Sequence, residues 1–124
     1  HDDSLCVVTG NSITNFGGGA STANGIFYSG SRNISIRQNT INGGTATTTT
    51  LYGINASSGV WADISQNSVT LNPSSSAYGI NISLSGGVAT NPNIVKADSN
   101  TFAGWVNAGT GLAYYLYQSA GGDG

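Results

Sequence analysis

The sequence predicts an all-β solenoid in which a unit of three short strands repeats about four times. A phrase of Asn, then Ser or Thr, then an apolar residue begins at Asn11, Asn39, Asn67 and Asn100. Its intervals are 28, 28 and 33 residues, and recurrence at such a period is typical of repeat architectures. A Gly-Ile phrase keeps step with it at Gly25, Gly53 and Gly79, and we interpret Gly111-Leu112 as its weaker fourth copy.

The composition indicates an ordered β protein with few electrostatic partners. Only 6% of the 124 residues are charged, whereas about a quarter is usual. Hydrophobic residues make up 38% of the chain and recur periodically, which indicates a packed core. The net charge is −2 and the cations are Arg32, Arg37 and Lys96, so we expect no nucleic-acid partner. No run of about 18 apolar residues occurs, so we expect no membrane insertion.

The first strand of each unit lies just before the Asn phrase. Apolar residues five and three positions before each Asn alternate with other residues, and this period of two is typical of a half-buried strand. We expect inward side chains from Cys6 and Val8, Ile34 and Ile36, Ala62 and Ile64, and Val95 and Ala97.

Two further strands complete the unit. The apolar residue of the Asn phrase opens one of them, which gives inward Ile13, Ile41, Val69 and Phe102. The Gly-Ile phrase opens the other, which gives inward Ile26, Tyr28, Ile54, Ala56, Ile80, Ile82, Leu84, Leu112, Tyr114 and Leu116. In such a coil each strand pairs in parallel with its counterpart one turn later, about 4.8 Å away.

We expect the whole chain, residues 1–124, to form a single segment of this coil. The expected rungs are approximately 4–24, 25–52, 53–78 and 79–117, followed by a flexible tail at 118–124. Solenoids need capped ends, and neither end of the sequence shows a recognisable cap. We therefore expect an uncapped fragment that stacks on flanking rungs of a longer chain or on a partner.

The repeated asparagines are predicted to be structural. At a tight bend a residue often takes a positive φ, which Asn tolerates better than most residues. A buried side-chain amide can also bond the amides above and below it in a stack. We therefore expect Asn11, Asn39, Asn67 and Asn100 to form a ladder at one corner of the coil, with no role in ligand binding.

Three segments resemble the right-handed parallel β-helix proteins of the pectate-lyase-like superfamily: GIFYSGSRNISIRQNTI, GINASSGVWADISQNSVTL, and GINISLSGG with NIVKADSNTF. The resemblance implies that fold over about residues 4–117. It leaves the activity open, because members include polysaccharide lyases, glycoside hydrolases, phage tailspikes, adhesins and surface stalks. The Thr-, Gly- and Asn-rich composition is most similar to repeat arrays of long secreted bacterial surface proteins, of the kind exported by type 9 secretion.

Asp63 and Asp98 are the weak candidates for catalysis. Both have outward parity on neighbouring rungs, at a separation that suits an inverting glycosidase pair. Lys96 is expected to stack on Asp63, with Arg37 diagonally on its other side, so we favour a surface ion-pair patch. A fragment of a polysaccharide lyase or glycoside hydrolase stays the alternative.

Trp61 is the candidate ligand-binding residue. It has outward parity, and an exposed ring on a flat sheet can contact a sugar, although a loop or neighbouring chain can also cover it. Tyr52 and Tyr78 precede the Gly-Ile phrase at matching positions and are expected to stack in the core or at a turn.

The sequence favours a structural and interaction module over an enzyme. One cysteine, Cys6, and one histidine, His1, cannot build a zinc site, so we expect no metal and no cofactor. The favoured function is a rigid stalk or adhesin-like segment of a secreted or cell-surface bacterial protein that contacts glycans or other proteins. Ice binding by a flat Thr face is a third hypothesis, but regular Thr-x-Thr columns are missing from the sequence.

Overall fold

The computed structural model describes residues 5–17, 21–29, 33–43, 50–57, 61–72, 76–84, 94–103, 105 and 111–118, and the regular elements among them are all β-strands. In chain order the strands are β1 Leu5–Thr9, β2 Ser12–Phe16, β3 Thr22–Ser29, β4 Asn33–Arg37, β5 Thr40–Gly43, β6 Thr50–Ser57, β7 Trp61–Ser65, β8 Ser68–Leu71, β9 Ser76–Ser83, β10 Ile94–Asp98, β11 Thr101–Phe102 and β12 Ala113–Gln118. Within these ranges there is no helix that could span a membrane.

The strands form three parallel sheets of four strands each. The strand order is β1-β4-β7-β10 in sheet A, β2-β5-β8-β11 in sheet B and β3-β6-β9-β12 in sheet C. Each rung contributes one strand to every sheet, and each strand pairs with its counterpart one turn later, because the rest of the turn supplies the crossover that parallel pairing needs. The topology confirms a parallel β-helix of about four rungs.

The core is a set of side-chain columns that run through the middle rungs. Ile34 lies in register with Ala62, and Ile36 with Ile64, and all four side chains are fully buried, as predicted. The other fully or almost fully buried apolar side chains are Ile26, Tyr28, Ile41, Leu51, Ile54, Ala56, Val69, Leu71, Ala77, Ile80, Ile82 and Leu84. The inward residues of β1 and β10 are only half-buried, because these strands form the two edges of sheet A.

The fourth copy of the Gly-Ile phrase is Tyr115-Leu116. Strand β12 places Leu116 opposite Ile80 and Tyr114 opposite Tyr78, so the interpretation of Gly111-Leu112 was wrong. Leu112 precedes the strand and is 62% exposed. The prediction failed because it relied on the glycine, and β12 carries Tyr115 at the position where β3, β6 and β9 carry glycine.

The ends of the chain are described only in part. Gln118 is the last residue of β12, so the predicted flexible tail begins inside a strand, and its residues 119–124 lie outside the described ranges. His1 also lies outside them.

Candidate functional site

The structure brings the four repeated asparagines into one column between sheets A and B. The Asn39 side-chain oxygen accepts hydrogen bonds from the backbone N and from Nδ2 of Asn11, both at 3.0 Å. The same two bonds run from Asn39 to Asn67 and from Asn67 to Asn100, again at 3.0 Å. Asn39 Nδ2 also donates to the carbonyl of Val8 on the preceding rung at 3.0 Å. These side chains therefore bond to each other and to the backbone at the corner of each rung.

The left-handed residue of each bend precedes the asparagine. Gly10, Gln38, Gln66 and Ser99 have φ values of 69°, 57°, 59° and 54°. The ladder asparagines are not among the residues with positive φ in the described ranges, so the prediction that they take this conformation was wrong. Because the preceding residue turns the chain, the asparagine can direct its amide along the stack.

The two candidate carboxylates occupy different environments. Asp63 lies on the outer side of sheet A with Lys96 opposite it in register, as predicted, but only 8% of the residue is exposed, so this part of the expected surface patch is buried. The Ser65 hydroxyl donates to Asp63 Oδ1 at 2.6 Å, and Arg37 Nε lies 3.9 Å from Oδ2. Asp98 is exposed and pairs with Lys96 of its own strand at 3.5 Å. Each carboxylate has its own basic partner. An ion pair therefore explains the presence of both acidic residues without a catalytic role.

Trp61 is partly covered. It is the first residue of β7 and lies in register with Asn33 and Ile94, and its side chain is half-buried. Its ring therefore offers a ligand less area than a fully open platform would. No three His, Cys, Asp or Glu side chains of the described ranges are grouped so that they could hold a metal ion.

The outer face of sheet B carries short polar side chains in columns. All members of one column are exposed, and they are Ser12, Thr40, Ser68 and Thr101. The next column contains Thr14, Asn42 and Thr70. Because the columns mix Ser, Thr and Asn, regular Thr-x-Thr rows do not form.

The outer face of sheet C carries aromatic rings beside side-chain amides, and we call this the Tyr–Asn surface. Its residues are Phe27, Tyr52, Asn55, Tyr78, Asn81, Tyr114 and Tyr117. Tyr52 and Tyr78 stack at a centroid distance of 4.8 Å with 14° between the ring planes, and Tyr78 and Tyr114 at 5.1 Å with 18°. Tyr117 packs edge-on against Tyr78 at 5.5 Å.

Amide side chains run parallel to the tyrosine stack. Asn81 Nδ2 donates to Asn55 Oδ1 at 2.8 Å, and Asn55 Nδ2 donates to Asn24 Oδ1 at 2.9 Å. These three residues are half-buried. Phe27 lies in register with Asn55 and is exposed. The Tyr and Asn pair therefore stands side by side on two successive rungs, those of β6 and β9, while β3 presents Asn24 and Phe27 at these positions and β12 presents Tyr114 and Tyr117.

The stack changes the acidity of its central member. Burial raises the pKa of Tyr78 above its ordinary value of 10.0, and the neighbouring Tyr52, Tyr114 and Tyr117 raise it further. The Tyr78 phenol therefore stays protonated near neutral pH and can both donate and accept a hydrogen bond.

The functional groups of the Tyr–Asn surface are of the kinds that complement a neutral, hydroxyl-rich ligand. Amides and phenols donate to and accept from hydroxyl groups, and aromatic rings contact the apolar faces of such ligands. The groups recur at the rung spacing, so an extended ligand could bind several rungs at once.

The sequence contained a signal for this surface that our interpretation did not use. The tetrapeptide Tyr-Gly-Ile-Asn occurs twice, at 52–55 and 78–81. Tyr52 and Tyr78 do stack, but on the outer face of the sheet. Tyr114 was predicted to point inward, and the corrected register places it in the outer tyrosine column.

Comparison with known proteins assigns no family. No protein-family model, curated protein or solved structure gives a significant match to this chain. The description of the fold therefore rests on the strands, their register and their side-chain columns.

Proposed function

We propose that this chain is a rigid structural and interaction module, a stalk or adhesin-like segment of a secreted or cell-surface bacterial protein. The buried asparagine column and the fully buried aliphatic columns support rigidity, because each rung is fixed to the next by hydrogen bonds and packing. The low charge and the Thr-, Gly- and Asn-rich composition support a surface array of the type 9 secreted kind. The right-handed fold of the pectate-lyase-like superfamily is part of this proposal.

The observation that carries the interaction role is the Tyr–Asn surface. It presents the same Tyr and Asn pair on the two successive rungs of β6 and β9, and Tyr114 continues the tyrosine stack, with ring centroids 4.8 and 5.1 Å apart. Repetition along a stiff scaffold suits an extended polymer of similar units, because several weak contacts then add to one binding event. Surface glycans have that form, so we propose them as the ligand class.

The edge of the first rung supports contact with flanking rungs of the same longer chain or with a stacked partner. Cys6, Val8 and Ile13 are only half-buried, while their counterparts Ile34 and Ile36 in the next rung are fully buried. A rung placed on this edge would bury the exposed apolar area and pair the open strand edges.

Glycan-array binding tests the interaction role. We expect Asn81→Ala and Tyr117→Ala to lower the affinity for a bound oligosaccharide about ten-fold each, as for the loss of one or two hydrogen bonds. The matched control is Thr40→Ala, because Thr40 is exposed on the outer face of sheet B. We expect this variant to bind as the unmodified protein does.

The same array decides between the two candidate surfaces. If Trp61→Ala alone lowered the affinity, the contact would lie on sheet A and the Tyr–Asn surface would lose its role. If the unmodified protein retained no oligosaccharide, the glycan part of the proposal would fail and only the stalk role would stand.

A further inference from the structure

Glycine occupies one column of sheet C because there is no room for a side chain. A Cβ built on Gly25 would lie 2.7 Å from the carbonyl oxygen of Gly53, and one on Gly53 would lie 2.6 Å from that of Gly79. A Cβ on Gly79 would lie 2.6 Å from the carbonyl oxygen of Tyr115. Such distances are far inside van der Waals contact. A residue in this column must therefore be glycine if the next rung toward the C-terminus pairs with it in register.

Strand β12 breaks this rule at the last described rung. Its register places Tyr114 opposite Tyr78 and Leu116 opposite Ile80, so Tyr115 lies in the glycine column opposite Gly79. A Cβ built on Gly79 would lie as close to the Tyr115 carbonyl oxygen, 2.6 Å, as one built on Gly53 would lie to that of Gly79. The backbone of the column therefore continues through Tyr115, and its Cβ projects to where the carbonyl of a further rung would lie.

Aromatic side chains occupy the space beside this position. The Tyr115 ring contacts Phe102 at a centroid distance of 5.4 Å and Trp105 at 5.1 Å. Trp105 Nε1 donates to the Val69 carbonyl at 2.9 Å, so the indole lies against β8 at the point where β11 ends. Phe102, Trp105 and Tyr115 form what we call the terminal aromatic cluster.

We infer that Tyr115 makes β12 a terminating edge on which no further rung, whether from a second copy or from another β-helix, can stack in register. Extension of the solenoid by stacking is then directional, and the accepting edge is the first rung, β1 to β3. In that rung the column residue is Gly25, whose carbonyl can lie over a glycine of an added rung. This inference concerns the stack alone and does not depend on the stalk or glycan role.

Self-association of the full chain tests the inference. We expect Tyr115→Gly to associate head to tail, with a weight-average mass that rises continuously with concentration, because such contacts repeat without closing. We expect Tyr115→Ala to sediment as the unmodified protein does, because its Cβ alone is enough to block the carbonyl. Tyr117→Gly is the matched control for a glycine in β12, since Tyr117 lies on the outer face.

A second variant controls for the possibility that Tyr115→Gly unfolds strand β12. The double change Tyr115→Gly with Leu116→Ile gives residues 114–116 the same Tyr-Gly-Ile sequence that residues 78–80 have. It also raises the β propensity of the strand. It should associate as the single variant does, with circular dichroism showing a folded β protein. The inference is overturned if both glycine variants sediment like the unmodified chain, or if Tyr115→Ala associates as they do.

Discussion

Single polar side chains decide where the chain bends and how the rungs are joined. Asn39 makes a bond with each neighbouring asparagine and another with the Val8 carbonyl, although only 1% of the residue is exposed. A buried polar group is tolerated only when its hydrogen bonds are made. The column meets this condition because the rung spacing brings each amide within reach of the next.

The first prediction concerns the centre of this column. We expect Asn39→Leu to lower the free energy of unfolding by about 1 to 3 kcal/mol, because Asn11, the buried Asn67 and the Val8 carbonyl each lose a hydrogen-bond partner. Denaturant unfolding at neutral pH measures the change. Asn11→Leu is the control, since Asn11 is exposed at the end of the column and should cost less. Equal losses from the two substitutions would show that the column does not act through buried amides.

Much of this residue-level pattern could be predicted, and the failures have physical causes. The Asn phrase pointed to the corner of the coil, but the sequence does not show which residue of a bend adopts the left-handed conformation. Gln38 and Ser99 adopt it although neither is a glycine or an asparagine, the residues that most often do so. The buried state of Asp63 was equally hidden, because strand parity gives the direction of a side chain and says nothing about what covers it.

At the level of the strand, matching residues on successive rungs become continuous stacks. The tyrosines of β6, β9 and β12 lie at 4.8 and 5.1 Å, close to the spacing of paired strands, about 4.8 Å. The backbone register therefore fixes the ring spacing. The sequence showed two of the three tyrosines in matching phrases, but the third required the register of β12, where Tyr115 replaces the expected glycine.

The second prediction uses the raised pKa of Tyr78. Burial and then the neighbouring tyrosines raise this pKa in the folded state above the ordinary value of 10.0. Below pH 10 the phenol is protonated in both states and adds no pH dependence. Above pH 10 the unfolded chain loses the proton first, so the unfolded state binds fewer protons and the free energy of unfolding falls as pH rises.

Tyr78→Phe isolates this effect. We expect its free energy of unfolding to fall less steeply between pH 10 and the raised folded-state pKa than that of the unmodified protein. Denaturant unfolding across this range measures both slopes, and the difference between the two proteins isolates Tyr78 together with its coupling to the neighbouring tyrosines. Parallel slopes would show that the stack does not hold the Tyr78 proton.

The whole molecule is a one-dimensional stack. The strand orders show that each described strand pairs only with its counterparts in adjacent rungs. In such proteins stability is approximately a sum of terms for each rung and for each contact between neighbours. The middle rungs have a neighbour on both sides and hold the fully buried columns, whereas most inward apolar residues of the first and fourth rungs are half-buried or exposed, Ile26 and Tyr28 of β3 excepted.

The third prediction follows from this arrangement. Native-state hydrogen exchange should show the highest protection in β4 to β9 and lower protection in β1, β2, β10 and β11, because the end rungs can open without breaking the middle contacts. Strand β12 should be better protected than β10, although both are edge strands, because the terminal aromatic cluster packs on it. Exchange measured at increasing denaturant separates local opening from global unfolding. A single opening free energy for all twelve strands would mean that the four rungs unfold as one unit, and the additive description of the stack would then be wrong.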